Sequence, residues 1–326
     1  MTIERPRIIG MGHCLPGTVR TNEDPIFAPL RKGSQEETDE LFYGFERRHV
    51  LTDGENVVGL MVPAAMAALE QAEVEPADID LLIGDASISK HLVPNQLSEV
   101  HKDLKLPARC LSLPLVNAFS QFNVAVMMAD SLIAAGRAQN ILIVMGANWT
   151  RHVDYATPQA ISAGDAAAAC VMGMSKDASK WAFEGHLVLS ETEKYFGGMH
   201  MSRTTKKVPA DAGLPGTLIP DDATFHITKT GADGFKDIGL ERGQGVVLKL
   251  LKTHKVDPGE AALITHQASE KLTKRWQDDI DPACYVDTLK RFGNMVHATV
   301  PFNLSWGQDN FDGFTQRYVA TLCLGP

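Results

Sequence analysis

Six short apolar runs set the frame for this chain: Arg7 to Met11, Ile79 to Gly84, Ile141 to Met145, Ala167 to Met172, Ala261 to Thr265 and Tyr318 to Leu324. Each has the length of a strand and lacks the polar alternation of a strand with one wet face. They read as strands buried on both sides. Between them lie longer segments with helical spacing. Val57 to Ala72 is one, with apolar residues at Val58, Met61, Val62, Ala65, Met66 and Leu69. Gln121 to Ala135 is apolar almost all round and is expected to be buried on every side. A third runs from Gly243 to Thr253. Strands alternating with helices imply an α/β protein with substantially parallel sheets.

A similar order of elements recurs after Gly173–Ala178, which predicts two half-domains, 1–174 and 175–326, with no flexible linker. A chain of 326 residues is long enough for two core-sized units. Segment 196–222, rich in glycine and proline, is expected to be the longest loop. The sequence given stops at Cys323-Leu324-Gly325-Pro326, directly after a strand-like run, and a further strand is expected beyond it.

A net charge of −9 argues against a nucleic-acid-binding surface. No apolar run reaches the ~18 residues needed to span a bilayer. The first seven residues lead into a strand-like segment rather than a secretory leader. Five cysteines, without C-x-x-C spacing, fit free thiols in a reducing cytoplasm. No two histidines fall within one helical turn, and His200 and His297 each stand alone. No metal or other cofactor is therefore expected.

Four stretches carry chemistry. Ile8 to Pro16, followed by Arg20-Thr21-Asn22, is a strand running into a glycine and proline turn. Gly44-Phe45-Glu46-Arg47-Arg48-His49 precedes the first long helix. Gly164-Asp165 opens a strand of small residues, which lets backbones approach closely. His266-Gln267-Ala268 follows the Ala261–Thr265 strand, and Gly293-Asn294 comes one helix and a turn later.

In this order and spacing, together with the Phe225-His226-Ile227-Thr228 segment, these stretches resemble the β-ketoacyl-acyl-carrier-protein synthase III family of the thiolase superfamily. The resemblance runs from Arg7 to Leu324. It implies a thiolase-like α/β fold of two pseudo-duplicated βαβαβαββ halves in a five-layer αβαβα arrangement. It also implies a homodimer, or a heterodimer with a paralogue. The implied activity is acyl transfer or condensation of acyl thioesters in fatty-acid-like or polyketide and specialised-metabolite biosynthesis. The family's site joins a cysteine at the start of a buried helix to a histidine and an asparagine. A helix N-terminus lowers a thiol's pKa and offers N–H groups to an oxyanion. Histidine and asparagine then hold the second thioester carbonyl as it becomes an enolate. His266 and Asn294 match those two positions. Three residues after the histidine the family has a second asparagine, where this chain has Ser269.

Counted back from Ala129-Asp130 and Phe122, the family cysteine falls on Phe119. A phenyl ring cannot attack a thioester. Ser120 could serve instead, although a one-residue offset turns a side chain by about 100° and the alternative for this serine is a helix cap. A second reading has no covalent intermediate, with His266 as general base on an amine, hydroxyl or carbon acid. A third makes the chain a silent subunit, and an engineered replacement of cysteine is a fourth. Cys110 and Cys170 read as inert core thiols.

The resemblance places coenzyme A against a tryptophan and arginines. Here residues 38–43 hold neither, and Thr157 stands at a later arginine position. Lys271, Lys274 and Arg275 follow His266 on one helix and match the area that docks an acidic acyl-carrier protein. Leu92 and Val93 fall on the loop that, in the family, reaches the neighbour's acyl pocket.

Overall fold

The computed structural model describes residues 4–30, 42–91, 93–202, 205–207, 218–220, 223–311, 314 and 316–325. The first half runs β1 (Arg5–Cys14), β2 (Thr18–Thr21), β3 (Arg47–Val50), α1 (Val58–Ala72), β4 (Leu81–Ser87), α2 (Leu97–Asp103), β5 (Leu111–Pro114), α3 (Gln121–Ala134), β6 (Asn140–Asn148) and β7 (Asp165–Ser175). Next come α4 (Thr192–Tyr195), β8 (Met199–Ser202), β9 (Thr205–Lys207), β10 (Leu218–Pro220) and β11 (Thr224–Ile227). The rest of the second half is α5 (Lys229–Gly234), a π-helix over Phe235–Arg242, α6 (Gly243–Thr253), β12 (Ala261–Thr265), α7 (Glu270–Ile280), β13 (Cys284–Tyr285), α8 (Leu289–Phe292), α9 (Thr299–Asn310) and β14 (Tyr318–Leu322).

Five strands form the larger sheet in the order β1-β7-β6-β4-β5, parallel between β6, β4 and β5 and antiparallel at β1 and β7. A three-stranded parallel sheet, β13-β12-β14, forms the second layer of strands. The glycines of β1 explain how α1 lies on the first sheet. A Cβ at Gly10 would stand 2.3 Å from the Ala68 carbonyl oxygen, and one at Gly12 equally close to that of Ala64. Ala64, Ala65 and Ala68 are fully buried along this seam. Small residues on both sides let helix and strand backbones meet.

The principal core draws on both ends of the chain. Ile83, Phe122, Ile143, Met145 and Cys170 pack with Ile264, Val286, Phe292, Met295 and Phe302. A second cluster lies between α1, α2 and the larger sheet, and a third between α6, α7 and the smaller one.

Expectation and structure differ at α3. Only Gln121, Phe122, Ala125, Val126, Ala129 and Ile133 are buried, while Ser131 and Ala134 at its C-terminal end reach solvent; the helix lies on the larger sheet and touches the smaller one through Asn123, whose Oδ1 accepts from the Thr321 hydroxyl of β14 at 3.1 Å. Half-buried Val124, Met127 and Met128 are apolar, so its outer face carries no polar stripe that the sequence could show. The expected long loop at 196–222 is replaced, in its described part, by short ribbons: β8 pairs with β11 and β9 with β10.

Candidate active site

Two strand ends and two tight turns build the site. His266 leaves the end of β12, its backbone N–H donating to the Leu322 carbonyl of β14 at 2.8 Å. Gln267 anchors the bend that follows: its amide nitrogen donates to the Val286 carbonyl and its oxygen accepts from the Thr288 backbone N–H and hydroxyl. Ser269 caps α7 by accepting from the Leu272 N–H. Its place in the fold is thus explained by the helix it starts.

Asn294 is set by a different pair of turns. Its N–H donates to the Ser162 carbonyl at 2.7 Å, and its own carbonyl accepts from the Gly164 N–H at 3.0 Å. The Gly164-Asp165 and Gly293-Asn294 stretches therefore dock on each other. Gly293 has φ +72°, and a Cβ there would meet the Ser162 oxygen at 2.7 Å and the Arg48 Cβ at 3.3 Å. Asp165 is completely buried and accepts from the Leu51 N–H, the Thr150 N–H and the Thr150 hydroxyl. Burial pushes its carboxyl up to about 6 against those hydrogen bonds.

Beneath the turns lies Arg48, fully buried, bonding Asn22 Oδ1 at 2.7 Å and the Ile161 carbonyl at 2.6 Å, with its guanidinium 5.1 Å over the Phe27 ring. Burial and the nearby Arg20 lower it to about 10, which leaves it charged at neutral pH. The four sequence stretches thus meet in one place, with Arg48 as the peg between three of them.

His266 Nε2 lies 3.0 Å from Asn294 Oδ1. That oxygen also accepts from the Val296 N–H at 2.9 Å, so the imidazole must be the donor and its proton sits on Nε2. Burial lowers His266 to about 4, opposed by the Asn294 hydrogen bond and the Leu324 backbone. The ring is neutral at pH 7. Phe119 stacks on it, ring centres 4.4 Å apart and planes 18° off parallel. The three side chains are 3%, 4% and 7% exposed for His266, Asn294 and Phe119, so the site is shut in this state.

Phe119 also belongs to a small apolar cluster with Trp149, Val153, Ala160, Ala163, Phe225 and Val296. Met199, Met201 and Ile227 of the β8–β11 ribbon pack against it. The ribbon is therefore the outer wall over Phe119.

Ser120 does not cap α3, contrary to one reading of the sequence. Its hydroxyl donates to the Asn117 carbonyl at 3.2 Å and accepts from the Asn117 amide at 2.9 Å, turned back into the preceding turn. Cys110 and Cys170 are buried, with the Cys110 thiol pushed up to about 11 and that of Cys170 higher still. Of the three basic residues on α7, Lys271 and Lys274 reach solvent and Arg275 pairs with Asp279 at 2.9 Å. Val93 is 89% exposed, and Leu92 lies outside the described residues.

Two histidines that stand alone in the sequence do not stand alone in space. His297 is buried, bonded to the Gly146 carbonyl at 3.1 Å, and its field lowers His266 further. Asp85, which accepts from Asn95 and Gln121, acts on it electrostatically. The Asn294 to His297 spacing, one helical turn, was the available signal. His200 faces His226 across the ribbon.

Comparison with known proteins supports this architecture. Residues 115–187 match the model of the 3-oxoacyl-[acyl-carrier-protein] synthase III family. The β-ketoacyl-[acyl-carrier-protein] synthase III 1 of Vibrio vulnificus is 28% identical over 304 residues, 90% of this chain and 88% of that protein. Among solved structures, Xanthomonas campestris OleA aligns with TM-score 0.79 at 19% identity, covering 100% of this chain and 94% of that one. The priming β-ketosynthase of a polyketide biosynthetic pathway aligns with TM-score 0.74 at 21% identity, covering 94% and 88%. The fold is thiolase-like.

Proposed function

We propose, from the premise that the chain belongs to the β-ketoacyl-acyl-carrier-protein synthase III family of the thiolase superfamily, that it transfers or condenses acyl groups from thioesters without an acyl-cysteine. One observation carries this reading: a neutral His266, protonated on Nε2 and hydrogen-bonded to Asn294, with a phenyl ring lying on it. In the resembling family the cysteine belongs where Phe119 is.

The retained pair fits a thioester carbonyl. When substrate enters, the Nε2–H of His266 and the amide of Asn294 become donors to its oxygen and stabilise the negative charge of the tetrahedral state. A neutral ring donates without needing a counter-ion, which suits a dry pocket. An acceptor bound beside the carbonyl attacks directly. Its lone pair forms the new bond, the carbon–sulfur bond breaks, and the acceptor's proton goes to the departing thiolate. Holding donor and acceptor together supplies the rate.

The other assignments follow the same premise. The halves 1–174 and 175–326 are the two pseudo-duplicated units, with both polar site residues on the second. Lys271, Lys274 and Arg275 form a docking face for an acyl-carrier protein, and Leu92 and Val93 line a neighbour's acyl pocket. The chain pairs with a second copy. In support, β5 is an edge strand with no further partner among the described residues, and Leu111 on it and Val116 just after it are 62% and 77% exposed. A second reading, a silent partner of an active paralogue, is favoured by the closed site over His266.

Phe119→Cys tests the assignment. Incubated with a panel of acyl thioesters, the variant gains the mass of one acyl group by intact-protein mass spectrometry and the parent chain gains none. If no thioester labels the variant, residue 119 does not stand at the acylation position. Turnover of a thioester by the parent chain, lost in His266→Ala, separates the catalytic reading from the silent one.

A further inference from the structure

The ribbon that walls off Phe119 has a second face. Met199, Met201, Phe225 and Ile227 point inward to the apolar cluster. Side chains alternate along a strand, so His200 and His226 point the other way. They are directly opposite in the antiparallel register, and both are exposed. Their ring centres are 5.4 Å apart with planes 33° off parallel, wider than the Phe119–His266 stack.

That spacing suits a shared ion. A metal bonded to one nitrogen of each ring at about 2.0–2.1 Å would stand roughly 3 Å from each ring centre, which accommodates centres 5.4 Å apart. The orientation of one ligand is already set. His200 Nδ1 is 3.2 Å from the Gly197 carbonyl, to which it can only donate. The free lone pair of the neutral ring is therefore on Nε2. A backbone carbonyl fixing the tautomer of an imidazole is the usual support of a metal-binding histidine.

We propose that His200 and His226 bind a late first-row divalent cation between β8 and β11, and that the ion braces the ribbon over the site. Imidazole nitrogens select copper, nickel and zinc over magnesium and calcium. Among the described residues no third histidine, cysteine or carboxylate joins the pair. Water fills the remaining positions, so the ion exchanges readily and its occupancy follows the free metal concentration. A ligand that binds one arrangement of the ribbon stabilises that arrangement by mass action. Here the arrangement stabilised is the one in which Phe225 stays packed on Trp149, ring centres 4.7 Å apart, and the ribbon stays over Phe119.

The test uses the full chain and does not depend on activity. Copper(II), nickel(II) and zinc(II) salts are titrated into the parent protein and into His200→Gln and His226→Gln by isothermal calorimetry. Both residues are exposed, so neither change should disturb folding. One site in the parent protein, weakened at least ~10-fold in each single variant, is expected. Amide hydrogen exchange over 199–202 and 224–227 should slow on adding zinc to the parent protein and stay unchanged in the variants. Absence of binding, or binding that both variants retain in full, overturns the site. Binding with no change in ribbon exchange overturns the brace.

Discussion

Phe119 and His266 make one device from two residues. The phenyl ring covers one face of the imidazole, and the imidazole is held neutral by its burial. That neutrality has a measurable cost in acid. An unfolded chain takes up a proton at His266 near its ordinary value of 6.5, whereas the folded one does so only near 4. Between those values the unfolded state binds more protons, so stability falls as pH drops from about 6.5 to about 4. Asp165 works in the opposite sense, because its raised value of about 6 lets the native state take up its proton first. A comparison of parent protein and His266→Gln cancels the Asp165 effect. Urea denaturation at pH 7 and pH 4 should show the parent losing of order 3 kcal/mol more than the variant on acidification. Equal losses would mean that the imidazole is not held neutral in the fold.

At the scale of elements, the site depends on two turns locking together. Gly293 carries φ +72° with the Ser162 oxygen where a Cβ would go. Gly293→Ala should therefore destabilise by more than ~1 kcal/mol and reduce activity through displaced Asn294 rather than lost chemistry. The check is paired: a thermal melt for stability, and acyl labelling of the Phe119→Cys background for site geometry. Unchanged labelling would mean that Asn294 does not need this turn. These turns were legible in the sequence as glycine motifs, and β12 and α6 as unbroken patterns. The helix α9 was not, since buried Asn303 and Ser305 interrupt its apolar spacing and Pro301 lies in its first turn. The β8–β11 ribbon was equally hidden. Its four-residue strands alternate histidine with methionine, phenylalanine and isoleucine, a pattern too short to set a period. Pairing across a gap of more than twenty residues is a tertiary fact that no local window contains.

For the whole molecule, the larger sheet ends on β5 with no further strand among the described residues, and Leu111 on that strand and Val116 just after it are exposed while Leu113 turns to the core. An open strand edge of this kind is completed by another strand or protected by charge. If the proposed dimer forms through this edge, Leu111→Lys together with Val116→Asp should convert it to a monomer in analytical ultracentrifugation while leaving the circular dichroism spectrum unchanged. A dimer that survives both changes must use another face. The resemblance read from the sequence extended to the architecture, because the order of buried strands and glycine turns is a global pattern. It did not extend to how Phe119 is accommodated, which depends on aromatic packing from Trp149 and Phe225 far along the chain.

The asparagine turn is held by backbone groups of Ser162 and Gly164, which belong to the opposite half of the polypeptide. A fragment carrying residues 175–326 would keep the histidine and the amide in its sequence yet lose both backbone hydrogen bonds that hold the asparagine turn. The geometry of the His266–Asn294 pair is thus a property of assembly, because residues far apart in the chain must dock before the amide is set.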